Sequence, residues 1–159
     1  MSETRHRSGE IEHAIEEMVE QRIKRGTKRF GYVMAAAING VMLWIAHQLL
    51  DWKWPAFLTP EFDDVLPIIT VSFVVSIVAN LAYALNDGWP TKPVGELVTS
   101  VIGFVTALRF WQVFPFEFSG DDWTWLVRLV LVVAMVGSAM GAIVQLVNLA
   151  KGVPPKIDP

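Results

Sequence analysis

Cysteine is absent from all 159 residues, which excludes disulfides, thiolate metal ligands and cysteine nucleophiles. Histidine is scarce, at three residues, and no H-x-x-x-H spacing occurs among them. No phosphate-cradling glycine loop and no nucleophile–base pair is present. Glu10-x-x-His13 followed by Glu17 does set carboxylates and an imidazole near one helical face. Helical di-metal sites need that motif on two helices and a further Glu on each of two more, and here it occurs once. No metal and no cofactor are therefore expected, His6 falls in a polar tail, and His47 beside Gln48 suits an interfacial hydrogen bond. A basic stripe with base-reading residues is missing too, so nucleic acid is not an expected partner. An enzyme is the weakest class.

What is present is apolar bulk. Hydrophobic residues make up 53% of the chain, above the share of an ordinary soluble domain. A hydrocarbon core about 30 Å thick needs roughly 20 apolar residues of helix. Four segments meet that length: 30–50, 66–86, 94–114 and 123–150. The expected fold is all-α, an integral membrane four-helix bundle of two antiparallel transmembrane hairpins, with an N-terminal cytoplasmic amphipathic helix. Its parts are a cytoplasmic tail and helix over 1–29, the four-span domain over 30–150 and a cytoplasmic tail over 151–159. The first span is too long and too far along the chain for a signal-peptide core, so it reads as an uncleaved anchor.

Charge sorts by side. Arg22, Lys24, Arg25, Lys28 and Arg29 precede the first span, while Lys151 and Lys156 follow the fourth. Positive residues favour the cytoplasm, which predicts a multi-pass protein of the cytoplasmic membrane with both ends inside. The loop after the first span carries Asp51, Lys53, Glu61, Asp63 and Asp64, and the loop after the third carries Glu117, Asp121 and Asp122. Both external loops are acidic. The hairpin at 86–93, with Asn86, Asp87, Gly88 and Lys92, reads as an inner turn. Trp52, Trp54, Trp111, Trp123 and Trp125 fall at the outer boundary and Trp89 at the inner one, as amphipathic rings do.

The external stretches WPAFLTPEFDD, from Trp54, and FPFEFSGDD, from Phe114, resemble each other. At an offset of sixty Pro55 matches Pro115, Thr59 matches Ser119, Glu61 matches Asp121 and Leu66 matches Leu126. Thr59 and Ser119 are candidate caps for the returning helices, and the acids suit their positive ends. A tandem duplication of a two-span hairpin, with an axis along the membrane normal, explains the pattern. Convergence on one corner design explains it as well.

Before the first span, Ile11, Ile15, Met18 and Ile23 recur at helical spacing, with Ser8 as a candidate N-cap. Acids fill the first part of this segment and bases the last, an order that suits the helix dipole. The narrow stripe suits a coiled-coil seam with a partner or a second copy. A charged helix lying in solvent has the same pattern.

Arg109 sits six residues before Pro115 and Arg128 six after Asp122, so in an antiparallel hairpin they share a depth about 9 Å below the interface. They are candidates for binding an anion or a lipid headgroup; snorkelling to the interface is the bland alternative. The positions at the sixty-residue offset are Leu49 and Ile68, so the arginines belong to the second hairpin. Glu96 lies near the inner end of the third span, within reach of Lys92. No Asp, Glu or Lys falls at mid-bilayer, which disfavours a proton-coupled pump. Small and polar residues form a stripe on each span. Asn39 and Gly40, Asn80, Gly103, and Gly137 with Gly141 are the candidate helix-packing positions, the last pair as a G-x-x-x-G motif. A polar pore lining is the rival reading.

The function these features favour is non-enzymatic: a scaffold, accessory or oligomerising membrane subunit, with the lipid bilayer, a second copy or a membrane-complex partner as its company. A small channel or anion pathway, or recognition of anionic lipid through Arg109 and Arg128, is the alternative.

Overall fold

A computed structural model describes residues 2–49, 51–52, 55–86, 88–118 and 120–152, with side chains from Ile15 onward other than that of Asp121. Leu50, Lys53, Trp54, Asp87, Ser119 and Lys156 lie outside the described residues, as do the side chains of His6, Ser8, Glu10, Ile11, Glu12 and His13.

The chain is helical throughout its described length apart from its corners. Helix α1 spans Ser2–Gln48, α2 Leu66–Leu85, α3 Thr91–Val113 and α4 Asp121–Lys151, and a 3-10 turn covers Pro60–Asp64. All four α-helices contain stretches long and apolar enough to cross a membrane. Proline placement explains the element boundaries. Pro67 lies in the first turn of α2, Pro90 caps α3 with Pro93 in its first turn, and Pro115 follows α3. At those positions the missing N–H costs nothing, whereas inside a helix proline breaks it. Helix α4 ends on Gly152, whose positive φ of 60° lets its amide turn back to the Leu149 carbonyl.

Helix α1 corrects one expectation. The charged segment and the first span are one unbroken helix of 47 residues, on the order of 70 Å long. Ser8 lies inside it rather than at its start. Gly26 and Gly31 are single residues too weak to stop a helix that has no proline. The ion pair of Lys24 with Glu20, at 2.9 Å, and the Thr27 hydroxyl donating to the Ile23 carbonyl lie in the turns that lead into the first span.

The helices run back and forth in sequence order. Helix α1 packs on α2, α2 on α3 and α3 on α4; among the described residues α1 has no contact with α4. Contacts are therefore serial, with α1 and α4 as the two edges.

One end of this row, the corner end, holds the buried centre. Val65 is fully enclosed, and Ala46, Phe62 and Ile69 are buried around it, with Leu49, Phe110 and Val113 packed against them. The two similar stretches meet here. Leu58 and Phe116 form an isolated antiparallel bridge, with Thr59 N–H donating to Pro115 at 3.1 Å and Glu117 N–H donating to Phe57 at 2.8 Å. The register sets Phe57 opposite Glu117, which are equivalent at the sixty-residue offset, as a two-fold axis between hairpins requires. The helices do not follow that axis, because it would turn the α2–α3 contact into a contact of α4 with α1.

Most large apolar side chains point outward, including Val71, Val78, Val133 and Ile143. For helices that cross a bilayer, lipid solvates such surface, and the ordinary drive to bury it is missing.

Candidate functional site

At the corner end α3 stops on Phe114, which adopts a left-handed φ of 46° and donates its amide to the Phe110 carbonyl. That conformation costs a non-glycine residue about 1–2 kcal/mol. It turns the Phe114 ring toward α4, where the Arg128 guanidinium lies 4.6 Å from its centroid and 5.1 Å from that of Trp111. Both distances are within cation–π range. Arg128 thus rests on two ring faces, with no ion pair to a carboxylate among the described residues. Arg109 is exposed and has no hydrogen bond or ion pair among the described residues. Nothing described links the two arginines, and neither pairs with Asp63, Asp64, Glu117 or Asp122.

Around this point the loops form a ring cluster. Phe57 meets Phe118 at 5.1 Å, and Phe116 stacks on both Phe110 and Phe118 at 5.9 Å. Thr59 precedes the 3-10 turn but gives it no side-chain cap. Its hydroxyl instead bonds the exposed Glu61 carboxylate, which together with the Glu61 backbone N–H holds that acid below its ordinary pKa. Val65 and Gly120 occupy the capping positions of α2 and α4, and neither provides a side-chain cap.

The opposite end, beside the 86–90 turn, collects polar groups from all four helices. Gln145 of α4 donates to the Glu96 carboxylate of α3. Lys92 approaches Glu96 at 3.8 Å, and the Asn148 amide reaches Gln145 at 3.5 Å. Tyr83 of α2 donates to the Lys92 carbonyl at 3.3 Å and meets Tyr32 of α1 edge-on at 5.5 Å. Gly95 makes this possible, because a Cβ there would lie 2.2 Å from the Tyr83 hydroxyl. The Glu96–Lys92 approach was legible from i,i+4 spacing. The Gln145 link, 49 residues away, was not.

Between the two ends single contacts join neighbouring helices. Ser72 and Thr106 share a hydrogen bond of 2.8 Å, and His47 Nε2 lies 3.4 Å from the Thr70 hydroxyl. Of the small residues, Gly103 faces Ser138 and Gly141 faces Ser100, with would-be Cβ distances of 3.3 and 3.0 Å. Gly40 and Gly137 have nothing within 4 Å of that position. Asn39 and Asn80 donate to the carbonyls of Ala35 and Ser76 in their own helices. In the N-terminal section Ile15, Met18, Val19 and Ile23 are exposed. Among the described residues no three His, Asp or Glu side chains converge in a metal-binding geometry.

No family model matches the chain, and no curated protein or solved structure matches it.

Proposed function

We propose that this is a non-enzymatic scaffold or oligomerising subunit of the cytoplasmic membrane, crossing it four times with both ends in the cytoplasm. The charge asymmetry of the segments flanking the helices supports that orientation. The observation that carries the assembly reading is the open row: among the described helices α1 packs on α2 alone, and it extends well beyond that helix. A row with two free edges becomes part of a closed four-helix or larger bundle when another subunit supplies a helix. The projecting section of α1, apolar on one stripe and charged elsewhere, presents a surface to a partner outside the lipid.

Two measurements test this. The full chain in lipid nanodiscs is expected to run larger than a single copy by mass photometry. Deletion of residues 1–25 is expected to weaken assembly or partner capture. A monomer whose interactions survive the deletion intact overturns the reading.

The pose of Arg128 favours a second reading at the other end. A guanidinium held on Trp111 and Phe114, with an unpaired Arg109 on the same hairpin, suits anionic lipid headgroups of the outer leaflet. Native mass spectrometry is expected to show retained anionic lipid that falls in the Arg109→Leu/Arg128→Leu double variant. Equal retention removes this reading and leaves the first untouched.

A further inference from the structure

We infer that two copies of this chain pair through the side of α1 turned away from α2, as parallel helices of one left-handed coil running from the lipid into the water. This rests on the assembly reading and gives it a partner, a second copy, and a seam.

The seam is a spacing. From Val19 the chain steps by four to Ile23, three to Gly26 and four to Phe30. It continues by three to Val33, four to Ala37, three to Gly40 and four to Trp44. Alternating intervals of three and four are the a and d positions of a heptad, the pattern that winds two helices left-handedly about each other. At 3.6 residues per turn the centre of this seam lies about a third of a turn from the centre of Tyr32, Ala36 and Ala46, the residues that meet α2 or are buried beneath it, with Gly40, one turn after Ala36 and half-buried, at the near edge. Ile23 and Phe30 are 63% and 66% exposed, while Trp44, 57% exposed, meets the ring of Trp52 edge-on at 5.5 Å and leaves the rest of its surface open.

Lipid solvates apolar side chains in any pattern, so bilayer contact alone does not require a constant phase. The seam keeps its phase past the basic segment, where Val19 and Ile23 meet water and exposed apolar surface calls for a cover. Its occupant must be a helix that crosses the same boundary in step with it. Another α1 has that shape, and copies inserted in one orientation are necessarily parallel. A two-fold axis along the membrane normal makes the face self-complementary in register.

Glycine supplies an independent observation. Gly26 and Gly40 stand two heptads apart, and a Cβ at either meets nothing within 4 Å. Each destabilises an isolated helix by about 1 kcal/mol relative to alanine, and among the described residues no neighbour requires the space, as none does at Gly31 off the seam. A second helix approaching along the seam does, as small residues at membrane helix crossings do generally.

Charge permits the pairing. In register, the flanking positions set Arg22 against Thr27 of the partner subunit and Ile15 against Glu20 of the partner subunit, so like charges do not meet. The contact runs about 39 Å along the helix at 1.5 Å per residue and about 10 Å across it. Two such faces, with the relief of Phe30 and Trp44 added, approach the roughly 1,000 Å² that a specific interface needs.

The lack of native cysteine makes the test direct. Single cysteines are placed in the otherwise intact chain, in its own membrane, and oxidised. Disulfide dimers are expected at Val33→Cys, Ala37→Cys and Gly40→Cys, where Cα atoms come within the bridging limit of about 7 Å. Background levels are expected at Ala35→Cys and Met42→Cys on the far side of α1. Gly40→Ile is expected to lose the dimer by mass photometry, while Gly31→Ala, off the seam, keeps it. A dimer that cross-links instead through Val133→Cys or Met140→Cys of α4, or without periodicity, overturns the seam and leaves the assembly reading standing. A single copy at every concentration overturns both.

Discussion

The two ends of the helical row are held by different physics. At the corner end Val65 and Pro115 are fully buried, six phenylalanine rings interlock, and two loops bond backbone to backbone. At the turn end the links are polar side chains, with Gln145 on Glu96, Lys92 beside Glu96 and Tyr83 on the Lys92 carbonyl. The difference follows from what each end has available. The corner loops are long enough to fold over and hide apolar residues from water, so burial stabilises them in the ordinary way. The 86–90 turn offers no such cover. Helices meeting inside lipid gain nothing from hiding apolar surface, so packing and hydrogen bonds between side chains take over.

The largest expected effect is at the corner. Phe62→Ala removes a buried ring between α2 and α3 and is expected to cost about 3–5 kcal/mol, read as a lowered unfolding midpoint in detergent. Amide exchange is expected to rise first around 55–65 and 114–118, with the turn end still protected. Equal loosening at both ends would mean that they are not independently held.

At the turn end Gly95→Ala forces a Cβ against the Tyr83 hydroxyl and ring, at 2.2 and 2.8 Å. Either Tyr83 swings out, losing its hydrogen bond and its contact with Tyr32, or α2 and α3 separate. The expected cost is about 1–3 kcal/mol, with Tyr83 fluorescence or exchange at 80–95 as the local readout. Adding Tyr83→Ala should recover part of the loss, and an additive double variant would show that Gly95 is not there for Tyr83. Smaller again is Gln145→Leu, which leaves Glu96 with Lys92 alone. A charged hydrogen bond of this kind contributes about 1.5–3 kcal/mol where water is excluded. Partial exposure of Glu96 places the expected cost at the low end of that range. Its mark is a looser α3–α4 contact near residues 145–151 and an undisturbed corner.

Much of this comparison was legible in the amino-acid order. Each apolar run lies in one helix, with ends displaced by up to three residues apart from the start of α1, because lipid demands length and proline marks the stops. The pairing of the similar corner stretches was half-legible: their likeness was plain, but that they would bond to each other was not. The division of the chain at residue 29 followed charge and hydropathy, which do not mark a helix end; with no proline there, α1 runs through it. Asn39 and Asn80 illustrate another limit. An amide on a membrane helix has its own i−4 carbonyl within reach, so a polar residue on a helical stripe need not bond across to a neighbour. The Gln145–Glu96 link and the seat of Arg128 depend on the register of α4 against α3, which local spacing does not encode. The serial rather than closed order of the helices depends on distances between elements that loop length leaves free.

The smallest effect sharpens the corner itself. Thr59 was expected to cap a helix, and its hydroxyl serves the Glu61 carboxylate instead, so the pair acts through ionisation. Glu61 is held below its ordinary pKa; its charged form is therefore favoured in the folded chain relative to the unfolded one. Its contribution to stability is complete above the unfolded value and is lost as pH falls through the lowered folded one. Thr59→Val removes the largest cause of the shift while keeping the shape of the side chain. The carboxyl resonance of Glu61 should then titrate at higher pH, with the remaining displacement left to its backbone N–H. Full solvent exposure makes the change in overall stability slight, so the titration is the readout that counts. A midpoint unmoved by Thr59→Val would assign the shift to the backbone alone and return Thr59 to a purely conformational role in the turn.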